Sequence, residues 1–276
     1  MQDLGRPGYA HLGISASGAA DALSLRAGNL LVGNAEGAAA LEMTLAGGTF
    51  EFESGALVAL AGADVDASIP LWRTAEVKPG EQVRCGHARS GARCYLCVRG
   101  GIATPLVLGS ASTHLVTGLG GFEGRALKRG DVLTLGPASD NVPRRTASAP
   151  APHSAIRVTA GGEPVELCGA TWQVSEDSDR MGLRLRGPVF ARGAGHMLTE
   201  GVPLGAVQLP PDGQPIILFV EHQTTGGYPK IANVISADFH AVGQLRPRDQ
   251  VRFEPVSIDA ALALLRQQEE WLHALV

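Results

Sequence analysis

No apolar run in this 276-residue chain approaches the roughly 20 residues that a membrane-crossing helix requires. Basic excess is missing too. Lys and Arg number 23 against 27 Asp and Glu, a formal net charge of -4, which argues against a nucleic-acid-binding surface. No G-x-x-x-x-G-K-[ST] phosphate loop occurs, so any nucleotide would have to be held by other means. The first residues, Met1-Gln2-Asp3-Leu4-Gly5-Arg6-Pro7-Gly8, lack a signal-peptide pattern, and a cytoplasmic location is expected. Cysteines are few: Cys85, Cys94, Cys97 and Cys168. Cys94-x-x-Cys97 invites a zinc or redox reading. It lies, however, in a strand-like run, where side chains three apart face opposite sides. Buried reduced thiols are expected, with no disulfide framework and no metal site.

What is present points to a folded globular protein. Hydrophobic residues make up 45% and charged residues 18%. With 36 Gly and 17 Pro spread along the chain, short apolar runs alternate with turn signals, which predicts a mainly β protein with a few short helices. A helix is expected over 18–32, with Ser17 as N-cap and Leu23, Ala27, Leu30 and Leu31 as its apolar stripe. Arg26 on that helix would pair with Asp21 or meet a ligand. Strand-like runs follow at 40–45, 49–53 and 56–61. Glu42 interrupts the first, either on a wet strand face or as a site residue. A last helix is expected over 258–275, capped by Ser257, with Ile258, Leu262, Leu265 and Leu272 on one face.

One phrase recurs. Val77-Lys78-Pro79-Gly80-Glu81-Gln82-Val83 matches Leu127-Lys128-Arg129-Gly130-Asp131-Val132-Leu133, and both match Leu245-Arg246-Pro247-Arg248-Asp249-Gln250-Val251. Gly120-Gly121-Phe122 precedes the second copy and Gly226-Gly227-Tyr228 the third. This internal similarity predicts two related β halves. The Pro-, Ala- and Ser-rich stretch between them places a linker at 141–155, a first domain at 1–140 and a second at 156–276 with the terminal helix.

The stretch 221–239 is rich in chemistry. After the apolar run 216–220, which reads as a buried strand, His222, Gln223, Thr224, Thr225, Tyr228 and Lys230 fall within nine positions. Gly226 and Gly227 would bend the chain through positive φ and let a ligand approach the backbone. Such a loop either holds an anionic or amide-bearing small molecule or is a turn whose polar groups cap backbone atoms. Gln208 interrupts another apolar alternation. Arg180, in Ser178-Asp179-Arg180-Met181-Gly182, would pair with Asp179 or present its planar fork to a carboxylate or phosphate.

Several segments together resemble a known family. They are residues 2–8, Ser17-Gly18 with Asp21, Leu31-Val32-Gly33-Asn34, Leu41-Glu42-Met43-Thr44, and Gly109-Ser110 with Thr113. Others are Gly118-Leu119-Gly120-Gly121-Phe122-Glu123-Gly124-Arg125, residues 178–182, and Gln223-Thr224-Thr225-Gly226-Gly227-Tyr228-Pro229-Lys230-Ile231. The chain is similar to the C-type subunit of bacterial 5-oxoprolinase, a family also described as biotin-dependent carboxyltransferases or allophanate hydrolase subunit 2. The resemblance implies two cyclophilin-like β-barrel domains, partner subunits of the B and A types, and ATP-dependent opening of 5-oxoproline to glutamate. It makes Arg180, Gln208, Gln223, Thr224, Thr225, Gly226, Gly227 and Tyr228 candidate anion- or substrate-binding residues. Lys230, His222 and Glu42 become candidate catalytic residues, with ATP, usually with magnesium, as co-substrate shared with a partner. Two further readings stay open. One is carboxyl transfer from carboxybiotin to urea or a similar amide. No Met-Lys-Met biotinylation motif is present, so biotin would ride on another chain. The other is a non-catalytic regulator that binds a B-type protein. The chain departs from the family in starting at the Gln-Asp-Leu-Gly-Arg-Pro-Gly motif. That leaves either a start further upstream or a barrel with an open edge. It also departs in shorter loops at 67–73 and 161–171, where specificity would be set.

Overall fold

The computed structural model describes residues 1–138, 145–151, 154–161, 167–190 and 198–275. Residues 141–144 and 152–153 of the expected linker and 162–166 of the shortened loop at 161–171 lie outside them. The chain forms two compact units. One contains residues 1–6, 17–151 and 270–276; the other contains 7–16 and 152–269. The fold is mainly β with few helices, as expected.

In the first unit the strands are β1 (Leu41–Thr44), β2 (Thr49–Glu51), β3 (Ala56–Ala67), β4 (Thr74–Val77), β5 (Gln82–Val98), β6 (Ile102–Ala103) and β7 (Thr134–Leu135). The main sheet runs β1-β5-β3-β4, with β2 also on β5 and β6 paired with β7. β5 is the spine because period-two alternation covers both of its faces. Cys94 packs with Val58, Leu60 and Leu96 on one side, and Cys97 with Leu25, Ala59 and Tyr95 on the other. The two thiols thus face apart, as the strand reading requires. All four cysteines are free, and burial raises every thiol, Cys85 to about 11.

The first helix, α1, is shorter than expected, Ala22–Leu31. Its cap is Asp21, whose Oδ1 accepts from the Ser24 amide at 2.9 Å. Ser17 instead takes a left-handed turn at φ 55. Arg26 pairs with Glu36 at 2.6 Å.

In the second unit the strands are β8 (Ile156–Ala160), β9 (Thr171–Val174), β10 (Gly182–Arg186), β11 (Glu200–Gly201), β12 (Ala206–Gln208), β13 (Ile216–Leu218), β14 (Thr225–Gly226), β15 (Lys230–Val234) and β16 (Gln250–Pro255). Seven close a barrel in the order β10-β13-β12-β15-β8-β16-β9, while β11 and β14 form a separate ribbon. Short α2 (Phe239–Gly243) precedes α3 (Ile258–His273), whose residues from 270 on belong to the first unit. Ser257 Oγ caps α3 at the Ala260 amide, 3.2 Å away. The expected apolar face is only partly used: Leu272 is fully buried, whereas Ile258 and Leu262 are exposed.

The recurring phrase is one turn made three times. In each copy the acidic residue's amide donates to the basic residue's carbonyl: Glu81 to Lys78 at 3.0 Å, Asp131 to Lys128 at 3.2 Å, Asp249 to Arg246 at 3.1 Å. In return each carboxylate accepts from the basic residue's amide, at 2.6, 2.7 and 2.8 Å respectively. The residue before the acid is left-handed: Gly80 at φ 78, Gly130 at φ 92 and Arg248 at φ 74. That is the type II pattern, in which glycine is favoured at the third position. A Cβ on Gly130 would meet nothing within 4 Å, so Gly130→Ala carries backbone strain alone. It should cost about 1–2 kcal/mol. Gly120→Ala, whose Cβ would overlap the Ser112 carbonyl, should cost well beyond that. Denaturant unfolding of the two variants checks the ordering.

Candidate functional site

The apolar strand β13 delivers the chain to its polar loop. Phe219 donates from its amide to the Met181 carbonyl at 2.9 Å, and Glu221 to the Arg180 carbonyl at 2.8 Å. This docks the Ser178-Asp179-Arg180-Met181-Gly182 turn against the strand's end. Asp179 does not pair with Arg180. Its Oδ1 accepts from the amides of Met181 and Gly182 at 2.8 and 3.1 Å, which fixes the turn. Arg180 donates from Nε to Glu221 Oε1 at 2.6 Å. The Glu221 side chain is 2% exposed and that of Arg180 17%. A carboxylate so buried is stable only when paired and hydrogen-bonded, so this ion pair is a fixed part of the loop.

Gln208 sits beneath the loop, buried, at the bulge where β12 meets β15, and its Cα partner is Lys230. Its Nε2 reaches the Tyr228 carbonyl at 3.4 Å, and its Oε1 accepts from Gln223 Nε2 at 3.2 Å. Gly226 packs directly on it: a Cβ there would lie 2.6 Å from Gln208 Nε2. Here the expectation for Gly226 and Gly227 needs correcting. Neither takes positive φ. Gly226 lies in β14 opposite Glu200, and glycine is needed there for close approach to the amide, not for a bend.

Lys230 places Nζ 3.1 Å from Glu200 Oε1 and 3.5 Å from the Gly201 carbonyl. Gly201 in turn pairs with Thr225 across the β11–β14 ribbon. Lys230, Thr225, Gly226, Gln223, Gln208 and the Tyr228 backbone therefore form one connected cluster. Among the described residues the hydroxyls of Thr224, Thr225 and Tyr228 meet no protein partner. His222 donates from Nδ1 to the Gln223 carbonyl at 2.7 Å, since a carbonyl can only accept. That fixes the neutral tautomer and leaves Nε2 with its lone pair. Burial lowers the His222 pKa below its ordinary 6.5, opposed by the bond to Gln223.

Glu42 lies in the first unit. Its Oε2 accepts from the Ala20 amide at 2.8 Å and the Tyr95 hydroxyl at 2.7 Å, while Tyr95 accepts from the Asp21 amide at 2.9 Å. The carboxylate thereby ties β1 to the start of α1. Glu200 and Glu221 are the site residues that sequence reasoning left without a role. The usable signal was a carboxylate at the end of an apolar run, at Glu221, and one breaking apolar alternation, at Glu200.

Residues 12–255 match the family model for the carboxyltransferase domain, subdomain A and B. The chain belongs to this family. It is 40% identical to the C-type subunit of 5-oxoprolinase from Haemophilus influenzae, covering 99% of this chain and 93% of that one. It is 39% identical to the C-type subunit of 5-oxoprolinase from Escherichia coli, covering 100% and 94%. The crystal structure of the K. lactis urea amidolyase superposes with a TM-score of 0.93 at 32% identity, covering all of this chain and 19% of that one. Among the described residues no helix is long and apolar enough to cross a membrane.

Glu221→Ala would leave the Arg180 guanidinium without its buried carboxylate and should cost about 3 kcal/mol, measured by denaturant unfolding. His222 gives a signed pH effect. Its folded pKa is depressed, so its contribution is complete above 6.5 and is lost as pH falls through the lowered value. The wild-type melting temperature should therefore drop on acidification below 6.5 more steeply than that of His222→Gln.

Proposed function

We propose that this chain is a subunit of an ATP-dependent 5-oxoprolinase, acting with A- and B-type partners to open 5-oxoproline to glutamate. The reading is supported by the names of the relatives that match over nearly their whole length and, within the chain, by one observation. Thr225, whose hydroxyl meets no protein partner among the described residues, pairs across the β11–β14 ribbon with Gly201, and the Gly201 carbonyl lies 3.5 Å from the Lys230 ammonium, whose partner Glu200 is 43% exposed. Such a pair is cheap to open, because exposed ion pairs contribute at most about 1 kcal/mol.

A lactam resists hydrolysis because its nitrogen lone pair is delocalised onto oxygen. ATP, with magnesium, supplies the phosphoryl chemistry that turns that oxygen into a leaving group. The donors here suit a single anionic group, a phosphoryl or a carboxylate, so the rest of the nucleotide belongs with a partner subunit. In this scheme Lys230 and the threonine hydroxyls hold charge, and Gln208 and Gln223 fix the loop. His222 Nε2 accepts a proton. Arg180 acts through its pair with Glu221, as a rigid wall of the loop. Glu42 serves the fold of the first unit. The likeness to urea amidolyase favours a second reading, carboxyl transfer from carboxybiotin carried by another chain, which avidin would inhibit.

The test is 5-oxoproline-dependent ATP hydrolysis by the assembled complex. Lys230→Ala should lower turnover about 100-fold. Its stability should change by no more than about 1 kcal/mol. Wild-type turnover by the Lys230→Ala complex would remove the loop from the mechanism. No 5-oxoproline-dependent hydrolysis by a well-folded wild-type complex would defeat the reading as a whole.

A further inference from the structure

The first unit holds a concavity of about 460 Å³, within the size range of small-ligand sites, and nothing above assigns it a role. Its walls include Thr104, Val107, Phe122, Val132 and Thr134. One side is the loop Gly118-Leu119-Gly120-Gly121-Phe122-Glu123-Gly124, which shares the Gly-Gly-aromatic sequence of Gly226-Gly227-Tyr228.

This loop is built tightly. Thr104 Oγ1 donates to the Gly121 carbonyl at 3.0 Å, and the Gly124 amide closes onto the Gly120 carbonyl at 3.0 Å. A Cβ at Gly121 would overlap Thr113 Oγ1, so the backbone itself forms the wall. Glu123, between Phe122 and Gly124, is held left-handed at φ 53, a conformation that costs a non-glycine residue energy. Meanwhile the amides of Gly120, Gly121, Phe122 and Glu123 donate to no protein acceptor among the described residues. Four successive main-chain donors without a protein partner, in a loop that lines a concavity, are what an oxyanion is drawn to.

The charges permit this. Glu123, the acidic residue of the lining, is bound by Arg125 at 2.7 Å. Arg125 also makes two bonds to Asp131, at 2.7 and 3.0 Å, and lies over the Phe122 ring. Over residues 118–131 three basic residues stand against two acidic ones.

We infer that this concavity binds a small carboxylate with an apolar body, its oxygens on the amides of residues 120–123 and its body against Val107, Phe122 and Val132. The inference does not rest on the 5-oxoprolinase reading and needs no partner subunit. It is tested with the full chain alone, by following amide shifts in ¹⁵N NMR. The probes are cyclopentanecarboxylate and its neutral match, cyclopentanecarboxamide. The carboxylate should give saturable shifts at Gly121, Phe122 and Glu123, and the carboxamide should not. Val132 is 71% exposed, so its variants should fold. Val132→Lys should tighten carboxylate binding and Val132→Glu weaken it, each by about 5- to 10-fold. Absence of saturable shifts at these amides, equal response to both probes, or indistinguishable Val132 variants would each overturn the inference.

Discussion

Several cations of this protein are countered by carboxylates of the same chain, and the character of each pair decides what its cation can do. Arg180 with Glu221, and Arg157 with Asp238, set a guanidinium against a carboxylate that is all but fully buried. Opening such a pair strands a charge away from water, so these pairs are fixed structure. Lys230 with Glu200 is different: both partners reach solvent, and separating them costs little. The candidate site thus has one cation, Arg180, that braces the loop through Glu221 and one, Lys230, whose pair is cheap to open.

The scaffold beneath is made by repetition. One reciprocal turn, acid amide to basic carbonyl and basic amide to acid carboxylate, launches β5 in the first unit and β16 in the second. The middle copy follows the Gly-rich loop of the first unit, and there Arg125 joins loop to turn by binding both Glu123 and Asp131, lowering the Asp131 pKa to about 2. In the second unit the loop at Gly226 instead rests on Gln208, a buried amide that bonds to Gln223 and to the Tyr228 carbonyl.

Much of this was legible in the sequence. Alternation gave the strands, the spacing of Cys94 and Cys97 gave opposite faces, and the repeated phrase marked three like turns before any hydrogen bond was known. The donor-rich stretch after β13 was visible from composition. What escaped was pairing across distance. Asp21 as cap, Glu36 as partner of Arg26, and Glu221 as partner of Arg180 follow from tertiary approach, which local spacing does not encode. The role of Gly226 is hidden for a related reason. A glycine needed for φ and a glycine needed for contact look alike in sequence, and only the position of Gln208 Nε2 separates them.

In the proposed function, Glu200 competes with an anionic substrate for Lys230. The most direct measurement is the KM for 5-oxoproline of a Glu200→Gln complex. Removing the competing charge should lower KM by about 2- to 5-fold, the worth of an exposed ion pair. A KM that is unchanged or raised would mean that Glu200 does not hold Lys230 away from the substrate.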